Sequence, residues 1–324
     1  MILVLVDHDR GRIDDLSLET LSFGRRLAER LSVPIEAVLV GSAARGLAGP
    51  VGAFGASRVH LVEDDRLVEY APEAWAETVV QLMAATKAQA VIAPGSPRGA
   101  EVMAHVAARS DLPLAANCVE VEPSDPFLVM RQRWGGSLLE EAELAGAVKL
   151  LTVAPHAVRA EEVAEAGPPA IAVFSPTFTD RDFRVVVTDR VERPAGKVSL
   201  AEARVVVGGG RGVGSAEAFA PLEELASLLG GAVGCSRAVT SAGWRPHSDQ
   251  IGQTGIRIAP DLYIACGISG ATQHIVGCKG AKHILVVNTD PEAPILARAD
   301  YAVIGDAREV ITALSEEIRK AKSG

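Results

Sequence analysis

Short β-rich runs alternate with helical stretches along this chain, and the alternation starts afresh near residue 203. A strand that returns through a helix to the same edge lies parallel to its predecessor. The pattern therefore predicts α/β architecture with mostly parallel sheets flanked by helices. The first run spans 2–6, followed by a helix over 16–31 that Val33-Pro34 stops, because proline excludes its predecessor from the α region. IEAVLVG (35–41), RVHLVED (58–64), a helix near 72–87 and AVIAPGS (90–96), which opens a helix at about Gly99, continue the series. After Pro113 the segments CVEVE, FLVMRQRW and AVKLLTVAP have hairpin-like spacing, and IAVFSP (171–176) closes this half. The second half reads ARVVVGGGRGVGS (203–215), a helix over 215–229, LYIAC (262–266), HILVV (283–287), YAVIG (301–305) and an amphipathic helix over 307–320.

A chain of 324 residues exceeds what one compact core usually supports, so two domains are expected. Residues 177–203 are charged and poorly periodic, with Pro194-Ala195-Gly196 among them, and read as a linker or a surface-crossing strand. The expected division is 1–190 for an N-terminal α/β domain, 191–203 for a linker and 204–324 for a C-terminal domain.

The net charge of −9 argues against a nucleic-acid surface, which needs a dense Lys/Arg footprint. Nothing resembles an apolar run of roughly 18 residues, so no membrane insertion is expected. MILVLVDHDRGR lacks the flanks and cleavage site of a signal peptide, which points to a cytoplasmic chain. Cys118, Cys235, Cys266 and Cys278 lie far from any CxxC spacing, and the seven histidines form no HxxxH or HExxH. No metal site and no iron–sulfur cluster are expected, and the thiols read as reduced and buried or half-buried.

VVVGGGRGVGS (205–215) takes a buried strand through a glycine-rich turn into a helix, where backbone N–H groups can approach a phosphate. It departs from GxGxxG, since Gly210-x-Gly212 is followed at the sixth position by Ser215, and it contains no GK[ST]. Alone it reads equally as a tight corner. IGQTG (251–255) offers an amide, a hydroxyl and two close-approach backbones suited to the polar edge of a planar heterocycle, or simply a loop of turn-formers. CGISGATQH (266–274) directly follows a strand, and Asn288 sits just past another, before Pro291 and Pro294. In open α/β sheets ligands lie beyond the carboxyl ends of strands, and these segments share that placement. Arg211 and Arg237 lie in loops that would converge near the same edge. A lone loop arginine is ordinarily a surface group, but the small apolar neighbours of Arg237 leave it little to solvate it except a ligand or an acid. His274 reads either as a structural histidine or as a ligand contact.

The series VVVGGGRG, GCSRA, AGW, QIGQTG, APDLYIACGISGATQH, VVNTDPEAPI and ADYAVIGD resembles the FAD domain of electron transfer flavoprotein alpha subunits, closely over 203–320. A looser resemblance covers the first half, in AVIAPGSPRGAEVMAHVAARSDLPLAANC and MRQRWGGS. It implies a Rossmann-like FAD-binding fold for the C-terminal domain and a nucleotide-hydrolase-like domain that pairs with a beta subunit. One FAD per chain is implied, with AMP or a second FAD belonging to the beta subunit. The implied role is an electron carrier rather than an enzyme. Electrons come from flavin dehydrogenases, such as the acyl-CoA dehydrogenases of fatty acid oxidation, and pass to a membrane-bound quinone reductase or another acceptor.

By the same resemblance, Arg211 and Ser236 would contact the FAD phosphates and nearby groups, and Arg237 would lie over or beside the isoalloxazine. Ile251, Gly252, Gln253 and Thr254 would line the ring, with the Thr254 hydroxyl near N5. Ser269, Gly270, Ala271, Thr272, Gln273 and His274 would hold the ribityl-pyrophosphate and the pyrimidine edge. His274 would sit near O2, where a protonated imidazole adds a pH-dependent share to the tuning by Arg237 and Thr254. Asn288 and Asp306 would hold the adenosine half. Thr272 stands where a branched apolar residue is common, and Ile256 where a Lys or Arg often follows QTG. Two other functions compete: a self-sufficient flavin or nicotinamide oxidoreductase, and a nonredox nucleotide-binding or scaffold protein. No second ordered cluster of acid–base residues serves the first of these.

Overall fold

The computed structural model describes residues 1–164, 167–189 and 198–323. The chain divides into two compact units, Met1–Val191 and Glu192–Gly324. The linker expected at 191–203 lies outside the described residues over 191–197.

In the first unit, strand β1 (Ile2–Leu5) is buried on both faces, as the unbroken apolar run requires of a central parallel strand. Successive side chains of a strand point to opposite faces. Ile2 and Val4 accordingly join the core that includes Leu21, Leu27, Ile35 and Leu39, while Leu3 and Leu5 join the one that includes Val38, Val40, Trp75 and Val102. The two-residue strands β2 (His8–Asp9) and β3 (Arg12–Ile13) pair antiparallel just beyond it. Helix α1 (Asp15–Leu31) starts where the Asp14 carboxylate accepts the Leu16 N–H, and stops at left-handed Ser32. Strand β4 (Ile35–Val40), helix α2 (Ala48–Ala53), strand β5 (Arg58–Val62) and helix α3 (Pro72–Thr86) follow. After strand β6 (Ala90–Pro94), the Ser96 hydroxyl accepts the Gly99 N–H and Pro97 occupies the first turn of helix α4 (Pro97–Ser110).

Strands β7 (Leu114–Glu122), β8 (Phe127–Arg133) and β9 (Leu138–Leu144) form an antiparallel extension, and β10 (Lys149–Val153) and β11 (Ala170–Phe174) complete the sheet. Its order is β11-β5-β4-β1-β6-β10-β7-β8-β9, with the other pairings parallel. The β8–β9 turn leaves Trp134 76% exposed, with Leu138 and Leu139 also exposed.

The stretch 177–189, which the sequence reading takes as the start of a linker or surface-crossing strand, is part of this unit. Asp182 accepts from the Thr179 N–H (2.8 Å) and from Arg109 (2.7 Å), and Arg184 pairs with Glu73. Phe178 and Phe183 meet edge to face at 5.4 Å, with the Arg66 guanidinium 4.6 Å from the centre of the Phe183 ring. Charges that look like solvated linker composition are ion pairs with residues distant in sequence.

The second unit holds a five-stranded parallel sheet in the order β13-β12-β14-β15-β16. Its strands are β12 (Val205–Gly209), β13 (Ala232–Cys235), β14 (Leu262–Cys266), β15 (His283–Asn288) and β16 (Tyr301–Ile304). Helix α5 (Ala220–Leu228) begins five residues later than the expected 215, with Pro221 in its first turn. Short helices α6 (Arg237–Ser241) and α7 (Thr272–Cys278) follow β13 and β14, and α8 (Ala307–Ser323) follows β16. Tyr263, Ile251 and Val286 centre the core on one sheet face, and Phe219, Leu222 and Ile264 the core on the other. Among the described residues, no helix is long and apolar enough to cross a membrane.

Candidate functional site

All five strands of the second sheet run the same way, so the loops leaving them gather at one edge. From β12 the chain steps to β13 on one side, while β14 lies on the other. The strand order thus reverses between β12 and β14, the position where open α/β sheets hold ligands. The two loops at this point press together. A Cβ on Gly210 would lie 2.2 Å from the Gly267 carbonyl oxygen, and one on Gly212 2.8 Å from the Gly267 Cα. The Gly210 N–H donates to Cys266 O (2.8 Å), the Gly212 N–H to Gly267 O (3.0 Å) and the Val213 N–H to Gly210 O (3.1 Å). These protons are committed within the protein, so the glycines of this corner serve close chain approach.

Beside this contact lies a cleft of about 180 Å³. Its walls come from the start of α6 (Ser236, Arg237, Ala238), the loop 250–254, and the loop and helix after β14 (Ile268 to Ala271, Gln273 and His274). The loop 250–256 is fixed by backbone bonds. The Ile251 N–H donates to Cys235 O at the end of β13 (2.8 Å), the Gln253 N–H to Gln273 O (2.8 Å) and the Ile256 N–H to Gln250 O (2.7 Å).

Gln250 is 2% exposed and had no assigned role from sequence. Its Oε1 accepts from the Thr240 hydroxyl (2.8 Å), and its Nε2 donates to the Thr254 hydroxyl oxygen (3.0 Å). Thr254 therefore accepts from within, and its own proton is left to donate elsewhere. The one sequence signal for Gln250 is its place at the head of QIGQTG.

His274 is buried, with Nε2 2.8 Å from the hydroxyl of the fully buried Tyr263. Nδ1 is buried with no hydrogen-bond partner. Burial pushes the imidazole pKa down to about 4, the Ile251 carbonyl opposing it, so the ring is neutral at pH 7. This corrects the protonated imidazole expected from sequence. The environment of Arg237 also differs from that expectation: the residue is exposed to water and forms no ion pair with a described residue.

Eleven of the residues singled out from sequence line this cleft: Ser236, Arg237, Ile251, Gly252, Gln253, Thr254, Ser269, Gly270, Ala271, Gln273 and His274. Four lie at the same sheet edge outside it. Arg211 is exposed in the turn after β12, and Thr272 is exposed at the start of α7. Asn288 is buried at the end of β15, its amide donating to Ile268 O (2.9 Å) and accepting from the Asp290 N–H (3.1 Å). Asp306 accepts from the Arg308 N–H (2.8 Å) and so caps α8.

Among the described residues, no carboxylate and no thiol line the cleft. No hydroxyl of the cleft is hydrogen-bonded to the imidazole: His274 Nε2 is engaged by Tyr263, and Nδ1 has no partner. What the cleft offers is a set of donors, the Thr254 hydroxyl, the Arg237 guanidinium and side-chain amides, beside an imidazole nitrogen without a hydrogen-bond partner. Donors converging on a narrow slot suit the carbonyl and nitrogen edge of a flat heterocycle such as a flavin.

Two families match along the chain. The electron transfer flavoprotein domain matches residues 2–179, and the electron transfer flavoprotein FAD-binding domain matches 199–279. The electron transfer flavoprotein subunit alpha of Thermoanaerobacterium thermosaccharolyticum is 32% identical, covering 99% of this chain and 98% of that protein. The Bacillus subtilis protein of the same name is 33% identical, covering 98% of this chain and 97% of its own length. Protein FixB of Bradyrhizobium diazoefficiens is 35% identical over 98% of this chain and 88% of its own. The chain belongs to the electron transfer flavoprotein alpha subunits, electron carriers with an FAD-binding domain.

Proposed function

We propose that this chain holds one FAD at the cleft and works as half of a heterodimer with a beta subunit. It receives electrons from flavin dehydrogenases such as acyl-CoA dehydrogenases and hands them to a quinone reductase or another acceptor. The observation that carries the reading is the composition of the cleft, in which donors converge without any nucleophile–base pair. Bound FAD supplies the redox chemistry; the protein binds, orients and shields it. Thr254, with its proton free, and His274, with Nδ1 unpartnered, are suited to the acceptor atoms of the ring edge. Arg237 offers a permanent positive charge at the rim. Arg211, Thr272, Asn288 and Asp306 belong to the same proposal as groups for the rest of the dinucleotide along the sheet edge. No residue acts on an organic substrate, so the protein is a carrier and not an enzyme, and the cytoplasmic location is part of the reading.

A cleft of about 180 Å³ is smaller than a typical whole-ligand site of about 300–1,000 Å³. That supports a cofactor covered in part by another chain. The exposed Trp134 on the β8–β9 turn and the exposed Leu138 and Leu139 at the start of β9 support the first unit, with a boundary near 190–203, as the pairing module. Any AMP or second FAD belongs to the beta subunit.

Co-expression with the beta subunit should yield a yellow heterodimer with one FAD, measured by absorbance against protein concentration. Thr254→Ala should weaken FAD by about 0.5–1.5 kcal/mol, one hydrogen-bond increment. A heterodimer that takes up no FAD overturns the cofactor assignment, and an FAD-saturated stable monomer overturns obligate pairing.

A further inference from the structure

We propose that Tyr263 is a positioning residue that holds His274 as its neutral Nδ1–H tautomer, so that the cleft presents one fixed imidazole donor. The 2.8 Å separation between the Tyr263 hydroxyl and His274 Nε2 admits two proton arrangements. Either the phenol donates to a bare Nε2, or Nε2–H donates to the phenol oxygen.

The surroundings separate the two. Tyr263 is 0% exposed, and its hydroxyl lies over the backbone of β12, where a Cβ on Gly208 would be 2.4 Å from it. The glycine leaves the seat the phenol fills, and His274 is the hydrogen-bond partner the structure gives that hydroxyl. Were Nε2–H the donor, the phenol proton would be left without an acceptor in a dry core. With the phenol donating, its proton is used, Nε2 is satisfied, and the remaining ring proton sits on Nδ1. That nitrogen is buried and unpaired, and its ring lines the cleft. Buried donors are rarely left unmatched, so the phenol-donating arrangement prevails, and the Nδ1–H, which has no hydrogen-bond partner in the structure, marks the place of a ligand acceptor. This rests on the flavin reading above, in which the acceptor is a carbonyl-type atom of the ring edge. Tyr263 touches no ligand itself; it acts through His274.

The test is nitrogen-15 NMR of the histidine-labelled heterodimer at pH 7, with and without FAD, the His274 signals being assigned by their loss in His274→Asn. The expected result is a protonated Nδ1 and an unprotonated Nε2 in both forms. Tyr263→Phe, which removes only the hydroxyl, should populate the other tautomer and raise the FAD dissociation constant about three- to tenfold. The flavin midpoint potential should also move, which a merely structural role for the hydroxyl would not produce. A wild-type His274 protonated at Nε2, or a tautomer unchanged in Tyr263→Phe, overturns the proposal. Should Tyr263→Phe fail to fold, the wild-type spectrum decides alone. Should the heterodimer bind no FAD, the flavin-free spectrum still decides this proposal while the functional reading fails.

Discussion

At the carboxyl end of β1 the chain places Asp7, and at that of β14 it places Gly267; around each point the strand order of its sheet reverses. In the first unit the reversal lies between β1 and β6, and it is filled with the protein's own polar groups. The Asp7 carboxylate accepts from the Ser96 hydroxyl at 2.7 Å and lies 3.7 Å from Arg98. Arg98 also donates to His8 O (3.1 Å) and to Asp9 (3.3 Å) and lies over the Tyr70 ring at 4.8 Å. The Asp7 N–H donates to the Ser17 hydroxyl, and His8 Nε2 donates to Val40 O at 2.9 Å. In the second unit the same kind of edge is a cleft with one buried imidazole nitrogen unmatched. A crevice whose polar groups are all paired among themselves holds the fold; one with a donor left over has its partner elsewhere.

Removing Asp7 should break this comparison most forcefully. Asp7→Ala leaves the half-buried Arg98 guanidinium without its nearest buried acid, and should cost about 3 kcal/mol in stability of the first unit, read by chemical denaturation. FAD content per heterodimer should not change. Loss of FAD in proportion to stability would mean that the two edges are not separable.

Acid should separate them next. The folded pKa of His274 is depressed from 6.5 to about 4, so between these values the unfolded chain binds a proton that the folded one refuses. Stability from this group is present above pH 6.5 and is lost as the pH falls towards 4, by roughly 3 kcal/mol over the window. In the first unit His8 is also lowered by burial, but Asp7 is raised, chiefly by burial, and takes up a proton first in the folded state. The two oppose each other there. Hydrogen exchange between pH 6.5 and 4 should show the second unit loosening before the first, and His274→Gln should flatten that slope.

Arg237→Ala should do least. Two charges about 4 Å apart in water interact by about 1 kcal/mol, and Arg237 is exposed. A flavin potential shift of no more than about 40 mV is expected in a reductive titration. A larger change would show that the partner chain excludes water from this rim.

How much of this was legible in sequence follows from which forces are local. LYIAC, HILVV and YAVIG read as strands because each is a continuous apolar run, and all three are strands in one parallel sheet. β13 was missed: Ala232–Cys235 is four residues long with a glycine inside, and it is placed by pairing with β12 rather than by its own propensity. The ion pairs of 177–189 were not legible because Arg109 and Glu73, which pair with its charges, lie far away in sequence. The protonated His274 failed for the same reason, since Tyr263 and the core that bury it are tertiary neighbours. The loops of the cleft were legible because glycines, amides and hydroxyls directly after strands keep their meaning without knowledge of partners.

Gln250 holds more than Thr254. Its backbone carbonyl receives the Ile256 N–H, its Oε1 receives the Thr240 hydroxyl of α6, and its Nε2 reaches Thr254. One side chain thus staples the helix that begins with Arg237 to the loop that carries Thr254, two of the walls of the slot. Neither wall can swing out alone without breaking a hydrogen bond to this amide, so helix and loop move as a single cooperative piece.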